Sequence, residues 1–229
     1  MENEKPLRER LVDIGVDLVT TEGSASVGLR EIARRAGVSH GAPRRYFPTH
    51  HALLSAIAQR GFEDLGARFM AAIADGAPPR AQLRAVARVY VGYALEHRGM
   101  FELMFRHDLL DSEENGDGER QLRKATLPLF ERVVTLVAQC QAETDTAHRP
   151  GTTQGAVPTH GVVPTHGAVP TPTVTAAALW SNLHGIAQLW AWGSLQLAIG
   201  ASLPDGTPDH DLLEPLLTAV LNAHLDTAA

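Results

Sequence analysis

Between Leu29 and Arg60 the chain carries six basic side chains, Arg30, Arg34, Arg35, Arg44, Arg45 and Arg60, against the single carboxylate of Glu31, a local balance of +5. Guanidinium groups gathered this densely attract phosphate. The attraction is confined to one end. Residues 1–60 hold nine basic and seven acidic groups, whereas the remaining chain holds 11 basic and 19 acidic, so that a balance of +2 meets one of −8 and the whole chain carries −6. Within the basic stretch, Ser39, His40, Gly41 and Ala42 form a small-residue tip that can approach a base edge closely. His40 offers a donor to a base or a phosphate, and Ala42 a methyl contact for thymine. Arg44 suits either guanine O6 and N7 or a phosphate, Arg45 a phosphate, and Arg30 stands on a neighbouring element. Tyr46, Thr49 and His50 are placed as phosphate contacts, helped by the backbone N–H groups that open the helix after Thr49.

Other chemistry finds less support. His97, His107 and His184 could pair with Asp or Glu as a catalytic or metal cluster. No HExxH pattern, nucleophile elbow, phosphate-binding glycine loop or paired-carboxylate pattern accompanies them, so no catalytic residue, metal ligand or cofactor is assigned. Cys140 is the sole cysteine of the 229 residues, which rules out an intramolecular disulfide and a thiolate metal cluster and fits a reducing, cytoplasmic setting. GAVPTH at 155–160, GVVPTH at 161–166 and GAVPTP at 167–172 are a true repeat. A proline every six residues opposes a packed helix, so 144–172 is read as a disordered insertion, and His160 and His166 as products of repeat phasing. Residues 176–203 lack Asp, Glu, Lys and Arg, yet Ser181, Asn182, His184, Gln188, Ser194 and Gln196 interrupt them. A buried helix fits this stretch better than a membrane span, and no membrane partner is expected.

Helices must position the basic residues. Leu7, Leu11, Ile14, Leu18 and Val19 give an amphipathic helix over 7–21. A short helix over 29–36 follows, with Gly28 as N-cap and Glu31 able to accept the returning backbone N–H. Gly37 suits a left-handed stop, and Val38 plugs the space beneath the turn. Ser39 caps a second short helix reaching Phe47, in which Pro43 removes the first intrahelical bond and bends or tightens the start. Leu53, Leu54, Ile57, Ala58, Phe62, Leu65, Phe69 and Ile73 place the next helix at 50–73. Further helices are predicted at 80–96, 100–109, 120–143 with a kink at Pro128, 176–199 and 208–225, with 112–119 a solvated acidic loop. The chain reads as all-α, about nine helices, with a helix-turn-helix unit over 1–50 and a helical body over 51–229.

Ala33, Ala36-Gly37-Val38-Ser39, Gly41, Phe47 and Leu53 resemble the N-terminal DNA-binding region of TetR-family transcriptional regulators, over roughly residues 7–57. The resemblance implies an all-helical homodimer that represses transcription and releases operator DNA when a small molecule enters the C-terminal domain. The chain departs from the family pattern at Arg44, where an aromatic is usual, at Pro43, where an aliphatic is usual, and at His50, where a lysine is usual. A charge-assisted contact from Arg44 would replace the tyrosine-to-phosphate bond, and His50 would bind phosphate more weakly and pH-dependently. Trp180-Ser181-Asn182-Leu183-His184-Gly185 resembles the W-x-x-L-H-G pattern of one C-terminal subclass.

Paired readers must meet successive grooves about 34 Å apart, which calls for a two-fold dimer. The apolar pair 176–199 and 211–225 supplies it as a four-helix interface. Tyr90, Tyr93, Phe101, Met104, Phe105, Trp180, His184 and Trp190 are the candidate lining for a small apolar or amphipathic effector. Residues 53–73, with 100–109 beneath them, are the candidate switching element. The competing reading is a helical protein-interaction module without DNA, in which Arg44 and Arg45 are dispensable.

Overall fold

The computed structural model describes residues 5–73, 76–106, 116–147, 170–199 and 210–226. Among these residues there are nine α-helices, two short 3₁₀ turns and no strand: α1 (Leu7–Glu22), α2 (Leu29–Arg35), α3 (His50–Ala72), α4 (Pro79–Glu96), α5 (Arg98–Met104), α6 (Gly116–Ala147), α7 (Pro172–Ala191), α8 (Ser194–Ala198) and α9 (His210–Leu225). The helical expectation holds.

The N-terminal unit forms around one apolar cluster. Leu11 and Leu18 of α1, Ile32 and Ala33 of α2, Phe47, and Leu53 and Ile57 of α3 are all essentially sealed from solvent. Burying a side chain the size of Phe47 contributes about 1.5–3 kcal/mol, enough to hold the segment before it in place. Gly15 lets α1 and α3 close up, since a β-carbon there would stand 2.3 Å from Ile57 Cδ1.

Helix α3 then leaves this unit and becomes part of the body, packing on α4, α5 and α6. Helices α4, α6 and α7 pack on one another, and α9 lies across α7 and α4. Arg80 binds Asp226 and, at 2.7 Å, Asn222, while Arg88 binds Glu214 at 2.7 Å, so both tie α4 to α9. These arginines hold the Asp226 and Glu214 carboxyls below their ordinary range. All four charged side chains are well exposed, so the pairs set the orientation of α9 more than they stabilise it.

Several boundaries differ from expectation. The helix predicted over 176–199 begins earlier, at Pro172, because Thr171 caps it by accepting from the Val174 N–H and proline favours the first turn. It also breaks early: Gly193 is left-handed at φ 73, which divides α7 from α8. Residues 116–119, predicted as acidic loop, open α6, which runs on through Pro128 to Ala147. The insertion predicted over 144–172 is therefore helical at both margins, and its first two repeats, with His160 and His166, lie outside the described residues. So do His107 and the end of the helix predicted over 100–109.

Candidate nucleic-acid interface and effector cavity

The turn after α2 is built from backbone bonds that the sequence permits. Val38 N–H donates to Ala33 O at 3.1 Å and Gly37 N–H to Arg34 O at 3.2 Å, a Schellman closure around left-handed Gly37 at φ 67. The Arg10 guanidinium also donates to Ala36 O at 3.2 Å, fastening the C-terminal end of α2 to α1. The expected capping role of Glu31 is not realised. Its carboxylate accepts from Arg34 Nε at 2.8 Å and Arg35 Nε at 2.8 Å, and these two arginines hold it down to about 2.

The segment expected as a helix from Ser39 to Phe47 is instead a run of tight turns. Ala42 N–H donates to Ser39 O at 2.9 Å, and Arg45 N–H to Ala42 O at 3.2 Å, with a 3₁₀ turn over Pro43–Arg45. Pro43 is the cause: the fourth residue after Ser39 has no N–H, so Ser39 O takes the third one. Phe47 N–H still reaches Pro43 O at 2.8 Å, and the buried Phe47 ring closes the segment beneath the Arg8 guanidinium, 5.3 Å from its centroid.

This geometry sorts the candidate DNA contacts. Ser39, His40, Gly41, Arg44, Arg45 and Tyr46 are exposed on the tip, Ala42 is half-buried beside the buried Pro43, and Arg30 is exposed on α2. Arg30, Arg44 and Arg45 form no ion pair with any described carboxylate, whereas Arg34 and Arg35 are engaged by Glu31 and, for Arg35, also Glu22. The Oγ1 of Thr49 accepts from Ala52 N–H at 3.1 Å as the N-cap of α3. One ring nitrogen of His50, Nε2, lies 2.6 Å from Val27 O and donates to it. Thr49 and His50 thus brace the reader as well as edging it. Sequence reasoning passed over Arg10 and Val27 because their partners are backbone carbonyls, which leave no trace in residue type.

In the body, a cavity of about 230 Å³ lies between α3, α4, α6 and α7. Phe62, Leu65 and Phe69 from α3, Val86 and Tyr90 from α4, Phe130 and Val133 from α6, and Trp180 and Leu183 from α7 are among its walls, with Phe105 at one end. Tyr90 is the polar centre of that wall. Trp180 Nε1 donates to its hydroxyl at 2.8 Å, and the hydroxyl shares a hydrogen bond with His184 Nδ1 at 2.9 Å. Burial pushes the Tyr90 phenol well above its ordinary range and lowers the His184 imidazole, so both stay neutral.

Of the eight predicted lining residues, Tyr90, Phe105 and Trp180 face this cavity, while Phe101 and His184 join Phe105 around a neighbouring one. Tyr93, Met104 and Trp190 stand outside both linings. Tyr93 donates to Gly61 O at 3.3 Å and is pushed up to about 12 by burial, Met104 packs over Gly61, and Trp190 is core. The α3 and α6 residues of the lining went unpredicted, because their apolar spacing is indistinguishable from that of core.

The family model for the tetracyclin repressor-like C-terminal domain matches residues 83–205, more than half of the chain, and the model for bacterial regulatory proteins of the tetR family matches residues 11–57. The chain belongs to the TetR family. Its tetR-type unit coincides with α1, α2, the tight recognition turn and the start of α3. An HTH-type transcriptional regulator from the dhlA 5' region of Xanthobacter autotrophicus is 33% identical over 94 residues, which is 38% of this chain and 45% of that relative. The chain thus spans less than half the length of this curated relative. A protein of unknown function from Rhodococcus sp. RHA1 shares the fold with a TM-score of 0.69 at 27% identity, covering 100% of this chain and 98% of that one. AibR, solved in complex with isovaleryl coenzyme A and operator DNA, shares it with a TM-score of 0.58 at 14% identity, covering 96% and 98%. No described helix of this TetR-family chain is long and apolar enough to cross a membrane.

Proposed function

We propose that the chain is a cytoplasmic repressor that binds operator DNA as a homodimer and leaves it when a small apolar or amphipathic effector occupies the α3–α4–α6–α7 cavity. The observation that carries this reading is the set of exposed arginines, Arg30, Arg44 and Arg45, free of described carboxylates around a protruding tip of Ser39, His40, Gly41 and Ala42. AibR, of the same fold, was solved with both an acyl coenzyme A and operator DNA, which supports a reader and an effector site in one chain. Residues 1–50 form the reader, and 51–229 the effector and dimer body. Tyr46, Thr49 and His50 complete the phosphate contacts, His50 through Nδ1 in the imidazolium form, which alone has a second N–H to donate.

The two-fold partner lies on α7 and α9. Val174, Ala178, Ser181, Gly185, Leu189 and Trp192 recur at helical spacing on α7, and Val174, Leu189 and Trp192 are exposed there. The Trp180–Tyr90–His184 bonding makes the first and fifth positions of the W-x-x-L-H-G segment share one hydroxyl, which supports assignment to that subclass. Coupling runs along α3, a single helix whose Leu53 and Ile57 pack in the reader and whose Phe62, Leu65 and Phe69 wall the cavity. An effector displaces the operator only as far as it prefers the dimer state with misplaced readers.

The test is selection of bound duplexes from a random DNA pool, followed by titration of R44A/R45A on the selected site. The affinity should fall at least tenfold, and the slope of log K against log salt should become shallower by about 0.9 for each phosphate that the variant no longer neutralises. Unchanged affinity and slope would instead favour an interaction module without DNA.

A further inference from the structure

The Phe105 ring that ends the apolar cavity also walls a second one of about 500 Å³. The chemistry on its two sides differs. The first cavity offers few polar groups, and its Tyr90 hydroxyl is already bonded to Trp180 and His184. Around the second stand Arg98, Arg106, Glu102, Gln188 and His184; Arg106 pairs with Glu102 at 3.6 Å, so the two guanidinium groups against one carboxylate leave a net positive charge, and the imidazole is kept neutral by its burial. Arg98 donates one N–H to Ala191 O at the end of α7, and a guanidinium has five.

Phe105 stands as a partition among other rings. Its centroid lies 4.8 Å from Phe101, 4.9 Å from His184, 5.6 Å from Phe62 and 6.1 Å from Trp180. It is half-buried and follows the last turn of α5 as its C-cap, so the ring can turn aside without unwinding a helix.

We infer that the two cavities form one site for an amphipathic anion, whose unbranched apolar tail fills the first while its carboxylate or phosphate passes Phe105 to meet Arg98 and Arg106. This rests on the effector reading above and gives it a ligand class. At about 230 Å³, the first cavity has room for a tail of about eight methylenes if each takes the ~30 Å³ share that a water has in the liquid. A polar group within that tail would find Tyr90 and Trp180 already paired and would lose its own hydrogen bonds. The head group gains charge-assisted bonds to planar forks suited to either oxyanion.

Titration calorimetry of the full chain with octanoate, octyl phosphate and octan-1-ol tests this without DNA. Both anions should bind at least tenfold more tightly than the alcohol, and the tighter of the two identifies the head group. In R98Q/R106Q that advantage should fall below threefold with alcohol binding unchanged, which also reports that the double variant is folded. Val133→Phe, which fills the tail space, should weaken all three ligands tenfold or more. Equal binding of alcohol and anions, or an anion preference surviving in R98Q/R106Q, would overturn the assignment. Operator binding of the ligand-free protein, measured in parallel, separates that outcome from failure of the regulator reading.

Discussion

In the proposed reader, Glu31 engages two of the arginines that charge alone would offer to a phosphate. Among the five arginines between residues 30 and 45, it binds Arg34 and Arg35 and leaves those at 30, 44 and 45 without a described carboxylate partner. Charge counting cannot make that distinction, since all five arginines lie close together in sequence. Tyr90 plays the corresponding role in the body. Tyr90→Phe would strand Trp180 Nε1 and remove the partner of His184 Nδ1, and it should cost about 1–3 kcal/mol in denaturant unfolding for the groups left unpaired. His184 adds a pH dependence whose sign follows from its lowered imidazole. The unfolded imidazole takes up its proton near pH 6.5 while the folded one resists, so the unfolded state binds more protons just below that pH and stability falls as the solution is acidified. Unfolding curves from pH 7.5 to 5 should therefore fall less steeply for His184→Gln than for the parent. Parallel curves would remove the burial argument.

At the scale of elements, the recognition turn and α5 are the parts whose geometry carries function. Pro43→Ala restores an N–H four residues after Ser39, so the tight turns should relax towards α geometry. Cα chemical shifts of residues 40–46 should move in the helical direction. Shifts that stay put would mean that Phe47 packing, rather than the proline, sets the turn. Helix α5 joins the reader to both cavities, with Gly99 against α1 and Phe105 at the other end. A β-carbon at Gly99 would stand 2.4 Å from Val19 O, a backbone atom that cannot swing away. Gly99→Ala should accordingly destabilise the fold by about 1–3 kcal/mol through overpacking, measured by thermal unfolding, and should loosen operator affinity more than octanoate binding.

For the molecule as a whole, the proposed two-fold partner would set the spacing of the readers. Leu189 is 42% exposed on α7 within the stripe proposed for the interface. Leu189→Glu costs the isolated subunit little, because the side chain already meets solvent, whereas it would bury a charge in the dimer. Sedimentation should show a monomer that keeps its melting transition and cavity binding but loses tight operator binding. A variant that still sediments as the parent would move the interface elsewhere.

Residue order by itself determined the helical class and the bounds of α1, α2 and the start of α3, but not the tight turns between Ser39 and Phe47. Gly37, Pro48-Thr49 and the Leu53-to-Phe69 spacing act through local backbone geometry and helical period, and both are written along the chain. The α7–α8 break was also encoded, in Gly193, yet one uninterrupted apolar period concealed it. What only the tertiary structure decided were relations between distant residues. Tyr90 meets His184 across 94 positions, and Phe105 stands between two cavities of different chemistry. A wall of a cavity and a core side chain have the same apolar spacing, so only the packing of α3, α4, α6 and α7 distinguishes a residue that faces empty space from one that faces a neighbour.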